Sequence, residues 1–546
     1  MSSTTAATGG LLASETPLHE LVAKYREVQG AKPALIHGTE CQPWADFVDD
    51  AYRIANALIA LGVRPGDRVA VLARNSLHYA SFFVGTLLCG GCAVPLQPLA
   101  TSGALAAMLT DANVRAIALD EPYHDLISEF IAGDHNLYDG AIIGFDFEGK
   151  FKSAEVVRID ALMASASATA PGIVIEPSAQ FNIIYSSGTT GIPKGILHNH
   201  QMRQGLVREL VRLGVDNSSI NLMSTPMYSN TTIALWWPTF CAGGTQVIME
   251  KFEVETTLRN IEKHGVTHAM LVPVQYERIM RSGLVSQFDL SSLKTKFSTS
   301  APLRVGLKEE ILDRLPGEFI EIYGMTEGGG STLLFGTEAR KAGKLGSVGK
   351  PIPGHEMLVV DDSGAELPRG EIGEIVGRSD KMSEGYNNRA SDTEELCWYD
   401  SEGRRFFRTG DIGYFDEDNW LFLSDRRKDI IISGGFNIYA TDLERVLLEH
   451  PEVIEAAAIA LPSEEWGETP LAVVVPTTAI DTNEEDLRAW ANDRLGRTQR
   501  IAKLIFVDAL PRNPIGKVLK KDLREKYRHL GDLAPDSTLA APGTES

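Results

Sequence analysis

Apolar residues in the first 120 positions alternate between helical and strand-like spacing. Between residues 44 and 61 they recur every three or four positions, which predicts a helix that ends before Gly62. Apolar runs at 69–72, 93–96 and 114–119 predict buried strands, and residues 77–88 and 104–111 predict the helices between them. Strands that alternate with helices are typical of a parallel sheet covered by helices, so the pattern predicts an α/β fold.

The alternation continues as far as residue 323 and then changes. The predicted strands are 181–185, 196–198, 245–249, 267–272 and 319–323, and the predicted helices are 201–213, 307–315 and one that ends at 264. Residues 121–178 show no regular pattern. From about residue 340 to 424, short strands and frequent Gly, Pro, Glu and Asp predict a β-rich subdomain.

A smaller α/β pattern follows a charged run at residues 425–429. It consists of predicted strands at 456–461, 471–475 and 505–507 and predicted helices at 443–450 and 484–495. We therefore predict a large N-terminal domain of layered βα subdomains with the β-rich subdomain (16–424), a linker (425–429) and a small C-terminal α/β domain (430–530). The ends, 1–15 and 531–546, are predicted to be unstructured tails.

Composition excludes several classes of protein. The 546 residues carry a net charge of −21, which argues against nonspecific binding to nucleic acid or to an anionic membrane. Five cysteines are too few for a disulfide scaffold and indicate a reducing compartment. Cys89 and Cys92 form a C-x-x-C pair, but no second pair accompanies them and an apolar run precedes them, so we predict buried packing instead of redox or zinc chemistry.

Targeting signals are not evident in the sequence. No run reaches the roughly 18 apolar residues that a membrane span requires. The first ten residues lack the basic and apolar segments of a secretory signal, and the last residues are not a peroxisomal tripeptide. We predict a cytoplasmic protein.

Residues 185–195, Tyr-Ser-Ser-Gly-Thr-Thr-Gly-Ile-Pro-Lys-Gly, separate two predicted strands and concentrate groups that bind phosphate. Glycines let the backbone approach a ligand, hydroxyls and backbone N–H groups donate to phosphate oxygens, and Lys194 adds a positive charge. The stretch is not a Walker loop, because Lys194 precedes its glycine and Pro193 removes a donor. The predicted nucleotide-binding residues here are Ser186, Ser187, Gly188, Thr189, Thr190, Gly191 and Lys194.

Three other short motifs are ordinary when taken singly. Tyr323-Gly-Met-Thr-Glu327 follows a predicted strand, where a ring can stack on a base and a carboxylate near phosphates can hold Mg²⁺. Asp411 follows a Thr-Gly pair, and Lys517 ends a loop that contains two prolines. Alone, these would be a common turn, a turn aspartate and a surface lysine, and the run 425–429 would be a solvated linker.

Taken together and in this order, the motifs resemble those of the adenylate-forming superfamily, specifically its acyl-CoA synthetases. The resemblance covers roughly residues 30–530. It implies a two-step reaction in which a carboxylate and ATP give an acyl-adenylate and pyrophosphate, and CoA then displaces AMP to form a thioester. ATP, Mg²⁺ and CoA are the implied cofactors. The small C-terminal domain is implied to be mobile and to rotate between the steps about a hinge at Lys428.

The resemblance also assigns roles to residues. Tyr323 is implied to stack on adenine, Thr326 to contact phosphate, Glu327 to coordinate Mg²⁺, and Lys517 to be the catalytic lysine that neutralises charge on the phosphoryl oxygens. The further implied nucleotide contacts are Ser300, Ala301, Pro302, Glu321, Ile322, Gly324, Met325, the ribose-binding Asp411 and the linker residue Arg426. The implied thiol channel is the loop of Gly434, Gly435 and Phe436.

The acyl pocket is less well defined. Its predicted lining is Tyr228, Ser229, Trp236, Val272, Ser300 and Gly324. Gly324 leaves room for a substrate larger than acetate, and we expect a medium-length, aromatic or cyclic apolar carboxylate. The sequence departs from the family at Ser229, where histidine is common, and at Phe436 and Ala440 beside the thiol channel.

Other functions are also compatible with these motifs. An adenylating enzyme that loads a separate carrier protein, or a luciferase-like oxygenase, would share these motifs. A noncatalytic nucleotide-binding relative would have no need of Lys517. Analogy with such families suggests a homodimer.

Overall fold

The computed structural model describes residues 15–127, 130–131, 140–151, 154–186, 193–433, 436–463, 466–477, 481–496, 499–513 and 516–531. Within these residues the chain divides into two compact units. The first comprises the described residues up to Met357 together with Gly377–Phe407, and the second comprises Leu358–Val376 and the described residues from Arg408 onward. The predicted tails lie outside the described residues except at Glu15 and Gly531.

The helices match the predicted positions within a few residues where a prediction was made. They are α1 (Leu18–Val28), α2 (Trp44–Ala60), α3 (Leu77–Leu88), α4 (Ser102–Ala112), α5 (Ile159–Ala164), α6 (His200–Arg212), α7 (Asn230–Cys241), α8 (Val254–His264), α9 (Pro273–Arg281), α10 (Val305–Arg314), α11 (Gly336–Lys341), α12 (Ala390–Leu396), α13 (Ala440–Leu448), α14 (Glu484–Asn492) and α15 (Lys520–Tyr527). Short 3-10 turns occupy Glu121–Ile127, Val285–Gln287, Arg427–Asp429 and Arg528–Leu530. No helix in the described part of the chain has both the length and the apolar character needed to cross a bilayer.

The strands are short and belong to four sheets. They are β1 (Pro33–His37), β2 (Glu40–Pro43), β3 (Arg68–Leu72), β4 (Cys92–Pro95), β5 (Val114–Leu119), β6 (Ala141–Gly144), β7 (Gly149–Phe151), β8 (Ala154–Arg158), β9 (Gln180–Ser186), β10 (Lys194–Asn199), β11 (Ile220–Met223), β12 (Thr245–Ile248), β13 (His268–Leu271), β14 (Thr295–Ser298), β15 (Glu318–Met325), β16 (Gly328–Phe335), β17 (Lys350–Pro351), β18 (Glu356–Val360), β19 (Gly373–Arg378), β20 (Cys397–Tyr399), β21 (Arg405–Phe415), β22 (Leu421–Arg426), β23 (Ile431–Ser433), β24 (Phe436–Ile438), β25 (Val453–Ser463), β26 (Gly467–Pro476) and β27 (Lys503–Phe506).

Two large sheets form the first unit. One has the order β17-β16-β15-β14-β13-β11-β12-β1-β2, and the other has the order β10-β9-β4-β3-β5-β6-β8-β7. Neighbouring strands from β15 to β1 are parallel, as are those from β9 to β8. Antiparallel strands occur only at the edges of these described sheets. The predicted helix-covered parallel sheet is therefore confirmed.

Helix α3 is the centre of the core of the first unit. Every residue from Tyr79 to Leu88 is buried, which is typical of a helix that is apolar on all sides. Gly85 allows α2 to approach closely, because a Cβ at this position would come within 2.7 Å of the Ile54 side chain. The Phe83 ring packs edge-on against Trp236, with 5.1 Å between ring centroids. The core thus joins α2, α3 and α7 into one apolar cluster.

The second unit contains a mixed sheet of order β24-β23-β26-β25, with β27 beside β26. Apolar residues of α13 and α14 pack on one face of this sheet, and those of α15 pack on the other. Burial on both faces explains the continuous apolar run in β26. A further sheet of order β18-β19-β21-β20, with β22 beside β21, supplies the predicted short strands.

The charged run at 425–429 differs from a solvated linker. Its first residues end β22, and the rest form a 3-10 turn. Asp425 is buried, and its carboxylate accepts a hydrogen bond of 3.3 Å from the backbone N–H of Thr441 at the start of α13. Asp429 pairs with Arg524 at 3.0 Å. Charge in this run is therefore used inside the second unit, which the sequence pattern did not reveal.

Candidate active site

A hairpin carries the predicted phosphate loop. Strands β9 and β10 pair antiparallel, with Lys194 opposite Ser186 and Gly195 opposite Tyr185, which confirms the two strands predicted around the loop. The Tyr185 hydroxyl donates to Asp111 at 2.7 Å and so ties β9 to α4. The other predicted loop residues, Ser187, Gly188, Thr189, Thr190 and Gly191, lie outside the described residues.

Lys194 and Glu327 lie on either side of one tyrosine. The Lys194 Nζ atom is 2.6 Å from Asp392 Oδ1 and 5.0 Å from the centre of the Tyr386 ring. The Tyr386 hydroxyl donates to Glu327 Oε1 at 2.8 Å. Burial, together with the Glu327 charge, raises the pKa of Tyr386, so the hydroxyl stays protonated as a donor. The predicted phosphate lysine and the predicted metal ligand are thus brought together.

The segment 383–388 holds this arrangement against the hairpin. Asn387 N–H donates to the Gly195 carbonyl at 2.7 Å, and Leu197 N–H donates to the Gly385 carbonyl at 3.0 Å. Ser383 N–H donates to the Glu327 carbonyl at 2.7 Å. Sequence reasoning missed Tyr386 and Asp392. The only local signal was Gly-Tyr-Asn-Asn at 385–388, which is typical of a turn and does not indicate a partner for Glu327.

Four predicted segments meet at one edge of the larger sheet. Strands β11, β13, β14 and β15 are parallel, so the segments at their carboxyl ends, 224–229, 272–273, 299–302 and 323–327, lie on the same side. Two of them contact one another through side chains, because Thr231 Oγ1, just after 224–229, is 2.6 Å from Ser300 Oγ. Ser300 has a φ of +82°, a left-handed conformation that costs free energy for a residue with a Cβ.

The predicted acyl-pocket residues separate into two groups. Ser229 is buried at the start of α7, where its Oγ accepts a hydrogen bond of 3.1 Å from Thr231 N–H. Tyr228 is half-buried beside it, and Val272 is buried immediately before α9. Trp236 was predicted to line the pocket, but α7 directs its ring into the apolar core against Phe83, where it is fully buried. Trp236 is therefore a packing residue.

Glu321 was also placed among the nucleotide contacts by sequence, and the structure corrects the role of its side chain. The carboxylate is buried, and its Oε2 lies 2.5 Å from the ammonium of Lys308. Burial raises the pKa of Glu321, and the neighbouring Lys308 opposes this. The reason is that β15 alternates its faces, so Glu321 points to the interior.

The motif after Glu321 is more accessible. Tyr323, Met325, Thr326 and Glu327 are partly exposed, as are Ile322, Ser300 and Ala301, while Gly324 and Pro302 are exposed. A Cβ on Gly324 would come within 2.6 Å of Ser331 Oγ, so a larger residue would displace that side chain.

The second unit carries the remaining predicted residues. Asp411 lies on β21 opposite Arg426 of β22, and its N–H donates to Thr409 Oγ1 at 3.1 Å. Lys428 lies in the 3-10 turn, and Phe436 begins β24 with 59% of its surface exposed. Gly434 and Gly435 lie outside the described residues, and so does the side chain of Arg426.

The loop that ends at Lys517 is anchored at its base. Lys517 and Asn513 form two hydrogen bonds: Lys517 N–H donates to the Asn513 side chain at 2.8 Å, and Asn513 N–H donates to the Lys517 carbonyl at 2.9 Å. Arg512 pairs with Glu455 of β25 at 2.6 Å. These contacts fix the backbone of Lys517 in the second unit.

The C-x-x-C pair has the predicted packing role. Cys89 and Cys92 are free thiols with no exposed surface, and burial raises the pKa of each to about 12. Neither is therefore a thiolate near neutral pH.

The oxygen ligands near the motif at 323–327 are relevant to Mg²⁺ binding. No cluster of three or more His, Cys, Asp or Glu side chains that could hold a metal occurs among the described residues. Mg²⁺ is commonly bound by one or two carboxylates together with substrate phosphates. The partly exposed carboxylate of Glu327, near Lys194, fits that requirement.

Comparison with known proteins supports the same interpretation. The AMP-binding enzyme family matches residues 22–387, and the AMP-binding enzyme C-terminal domain matches residues 442–517. 4-Coumarate–CoA ligase 2 of Petroselinum crispum is 33% identical over 537 residues, with 95% of each chain covered. The fatty acid–[acyl-carrier-protein] ligase ScoC of Streptomyces coeruleorubidus is 31% identical over 491 residues, covering 88% of this chain and 90% of ScoC. The ATP-bound crystal structure of MatB from Rhodopseudomonas palustris is similar with a TM-score of 0.83 and 28% identity, covering 95% of this chain and all of MatB. The chain therefore belongs to the AMP-binding enzymes of the adenylate-forming superfamily and is an AMP-forming acyl-CoA ligase.

Proposed function

We propose that this ligase activates an aromatic or cyclic carboxylic acid, with Lys194, Thr326 and Glu327 acting at the phosphates and Lys517 at the reacting carboxylate. The observation that carries the proposal is the arrangement of Lys194, Tyr386 and Glu327. It sets one cation and one carboxylate beside the phosphate hairpin, which suits an ATP phosphate group and its Mg²⁺. Asp392 pairs with the ammonium of Lys194 at 2.6 Å.

The proposed chemistry follows from these groups. A carboxylate oxygen bonds to the α-phosphorus of ATP, and the bond from that phosphorus to the bridging oxygen breaks to release pyrophosphate. Bound Mg²⁺ would neutralise part of the phosphate charge. Lys517 would neutralise charge that spreads over the phosphoryl oxygens in the transition state. The CoA sulfur then attacks the acyl carbon, and AMP leaves with the oxygen that came from the acid.

Adenylation and thioester formation require different protein groups beside the acyl carbonyl. We propose the hinge at Lys428, with the second unit presenting Lys517 for adenylation and the loop 434–436 for thioester formation. The exposed Phe436 ring suits a wall of the thiol channel. Lys428→Pro would then slow thioester formation more than adenylation, because proline restricts the backbone rotation that a hinge needs.

The substrate class rests on the residues around the start of α7 and on the relatives. The half-buried Tyr228 supplies apolar surface, and the relatives include ligases named for 4-coumarate, an aromatic acid. Purified protein should be incubated with ATP, Mg²⁺, CoA and a panel of 4-coumarate, benzoate, cyclohexanecarboxylate, octanoate and malonate. We expect thioester from an aromatic or cyclic acid and little from malonate. Preference for malonate or octanoate would contradict the proposed substrate class.

A carrier protein is the second candidate acceptor, because ScoC is named for an acyl-carrier protein. The same panel, run with and without CoA, tests free CoA as the acceptor. If pyrophosphate exchange occurs but free CoA yields no thioester, the acceptor is a carrier protein or another nucleophile. Mg²⁺ dependence, the cytoplasmic location and a homodimer remain predictions that need their own measurements: metal titration, cell fractionation and light scattering.

A further inference from the structure

A buried polar network lies directly behind Thr326. Its members are His198 on β10, Arg203 on α6, Asn182 on β9 and Asn230 at the start of α7. All belong to the first unit, and the side chains of His198 and Arg203 have 0% and 3% of their surfaces exposed. No motif in the sequence pointed to this network, because its residues are isolated in the chain.

The donors and acceptors determine the protonation of His198. Arg203 Nη2 lies 2.9 Å from His198 Nδ1, and a guanidinium can only donate, so Nδ1 must be the acceptor. The ring proton is therefore on Nε2, which lies 2.7 Å from the Thr326 carbonyl and donates to it. Burial and the neighbouring Arg203 lower the pKa of His198 well below its usual value, which keeps this neutral tautomer in place.

Arg203 is satisfied by neutral acceptors. Its guanidinium donates to Asn182 Oδ1 and to Asn230 Oδ1, both at 2.9 Å, and it lies 5.5 Å from the centre of the Phe181 ring. A buried cation with neutral partners costs free energy, and burial lowers the pKa of Arg203 to about 9. Apolar side chains in place of the whole network would fill this space without that cost, so we infer that the network has a use other than packing.

We propose that His198 and Arg203 are positioning residues that fix the Thr326 carbonyl relative to the start of α7. The network then joins the two halves of the reaction site: Thr326 and Glu327 on the phosphate side, and Ser229 with the start of α7 on the acyl side. The inference rests on the proposed roles of Thr326 and Glu327 in adenylation.

Two substitutions of His198 test its hydrogen bonds to Thr326 and to Arg203 separately. His198→Gln places an N–H donor near the Nε2 position and can keep the bond to Thr326, whereas His198→Asn places an acceptor near Nδ1 and keeps only the bond from Arg203. Asn221→Ala is the matched control, because it breaks an equally buried hydrogen bond of 2.8 Å to Gln246 away from the motif. Hydrogen exchange of peptides covering residues 323–328, thermal unfolding, and kcat and KM for ATP in pyrophosphate exchange are measured for all three.

We expect His198→Asn to lower kcat by about tenfold relative to His198→Gln, with a change in KM for ATP of less than about threefold, because small misplacements of reacting groups cost catalysis. Exchange at 323–328 should be faster in the Asn variant than in the Gln variant and unchanged in Asn221→Ala. Equal hydrogen exchange at residues 323–328 and equal kcat in the two His198 variants would overturn the proposal. Hydrogen exchange can be measured without turnover. A wild-type protein that forms no acyl-adenylate would therefore refute the proposed function, while the hydrogen-exchange difference between the two His198 variants could still be measured.

Discussion

The buried pair of Lys308 and Glu321 gives a quantitative prediction. Lys308 has 2% of its side chain exposed, and its ammonium contacts Glu321 Oε2 at 2.5 Å and the carbonyls of Leu345 and Ser347 at 2.9 and 3.0 Å. Lys308→Met removes the positive charge and leaves a buried carboxylate without it. Such a group avoids the cost of burial by binding a proton, so the pKa of Glu321 in the folded variant rises far above its unfolded value.

The cost can be worked out from that proton. The ordinary glutamate pKa is 4.5, which is two and a half units below pH 7, and each unit corresponds to about 1.4 kcal/mol. Holding Glu321 protonated in the folded state therefore costs about 3.4 kcal/mol at pH 7 and about 1.4 kcal/mol at pH 5.5. The two carbonyls that lose a donor add a term of about 1 kcal/mol each that does not depend on pH.

Proton binding to Glu321 determines the direction in which the stability of the variant changes with pH. A group whose folded pKa is raised above its unfolded value favours the folded state at low pH, and this stability is lost as pH rises through the interval between the two values. The variant should therefore lose stability relative to wild type as pH rises above 4.5. Because burial already raises the pKa of Glu321 in the wild type, the difference between pH 5.5 and pH 7 is at most about 2 kcal/mol.

The assay is urea unfolding between pH 5 and 8, followed by pulse proteolysis with mass spectrometry to identify peptides of the first unit. The double variant Lys308→Met/Glu321→Gln is the control. Glutamine cannot titrate, so the pH-dependent loss of stability seen in Lys308→Met should vanish in the double variant. A loss of stability in Lys308→Met that is the same at pH 5.5 and pH 7 would refute the reasoning. So would a double variant that retains the pH dependence.

Two further predictions concern the site, and a third concerns the buried thiols. Lys517→Ala should abolish pyrophosphate exchange and leave ATP binding by equilibrium dialysis within about threefold of wild type, because the charge of Lys517 acts in the transition state; loss of ATP binding would contradict its role. Asp392→Asn should tighten ATP binding about two- to fivefold by calorimetry, because the carboxylate 2.6 Å from Lys194 competes with phosphate and a partly exposed ion pair contributes little; weaker binding would show that Asp392 holds Lys194 in its working position. In the folded protein a thiol reagent should modify the exposed Cys41 quickly and spare Cys89 and Cys92 until urea is added, and rapid reaction of either buried thiol would contradict their packing role.

The fold was largely predictable from the sequence. Apolar periodicity located α2, α3 and the strands β3 and β5, because these elements are buried and their side-chain pattern follows the core. It gave no indication of α7, where Ser229 supplies the cap and Pro238 lies inside the helix. The region around β6 to β8 was also missed, because charged residues interrupt the apolar pattern of β7 and β8.

The candidate site was predictable where its groups are contiguous in sequence. The phosphate hairpin and the motif at 323–327 each concentrate glycine, hydroxyl and charged residues in a short stretch. Tyr386, Asp392, His198 and Arg203 were not predictable, because each has a partner that only the fold brings next to it and none has characteristic neighbours. The packing of Trp236 and Glu321 was also not predictable, since the sequence does not show whether a side chain of α7 or β15 contacts the core or a ligand.

The central claim is that the carboxylate itself attacks the α-phosphate of ATP. The most direct measurement uses an acid with both carboxyl oxygens labelled as ¹⁸O, incubated with the enzyme, ATP, Mg²⁺ and CoA, followed by mass spectrometry of the nucleotide products. An acyl-adenylate leaves one labelled oxygen on AMP when CoA takes the acyl group, so we expect AMP heavier by one ¹⁸O and unlabelled pyrophosphate. Unlabelled AMP, or ADP with labelled inorganic phosphate, would contradict the account.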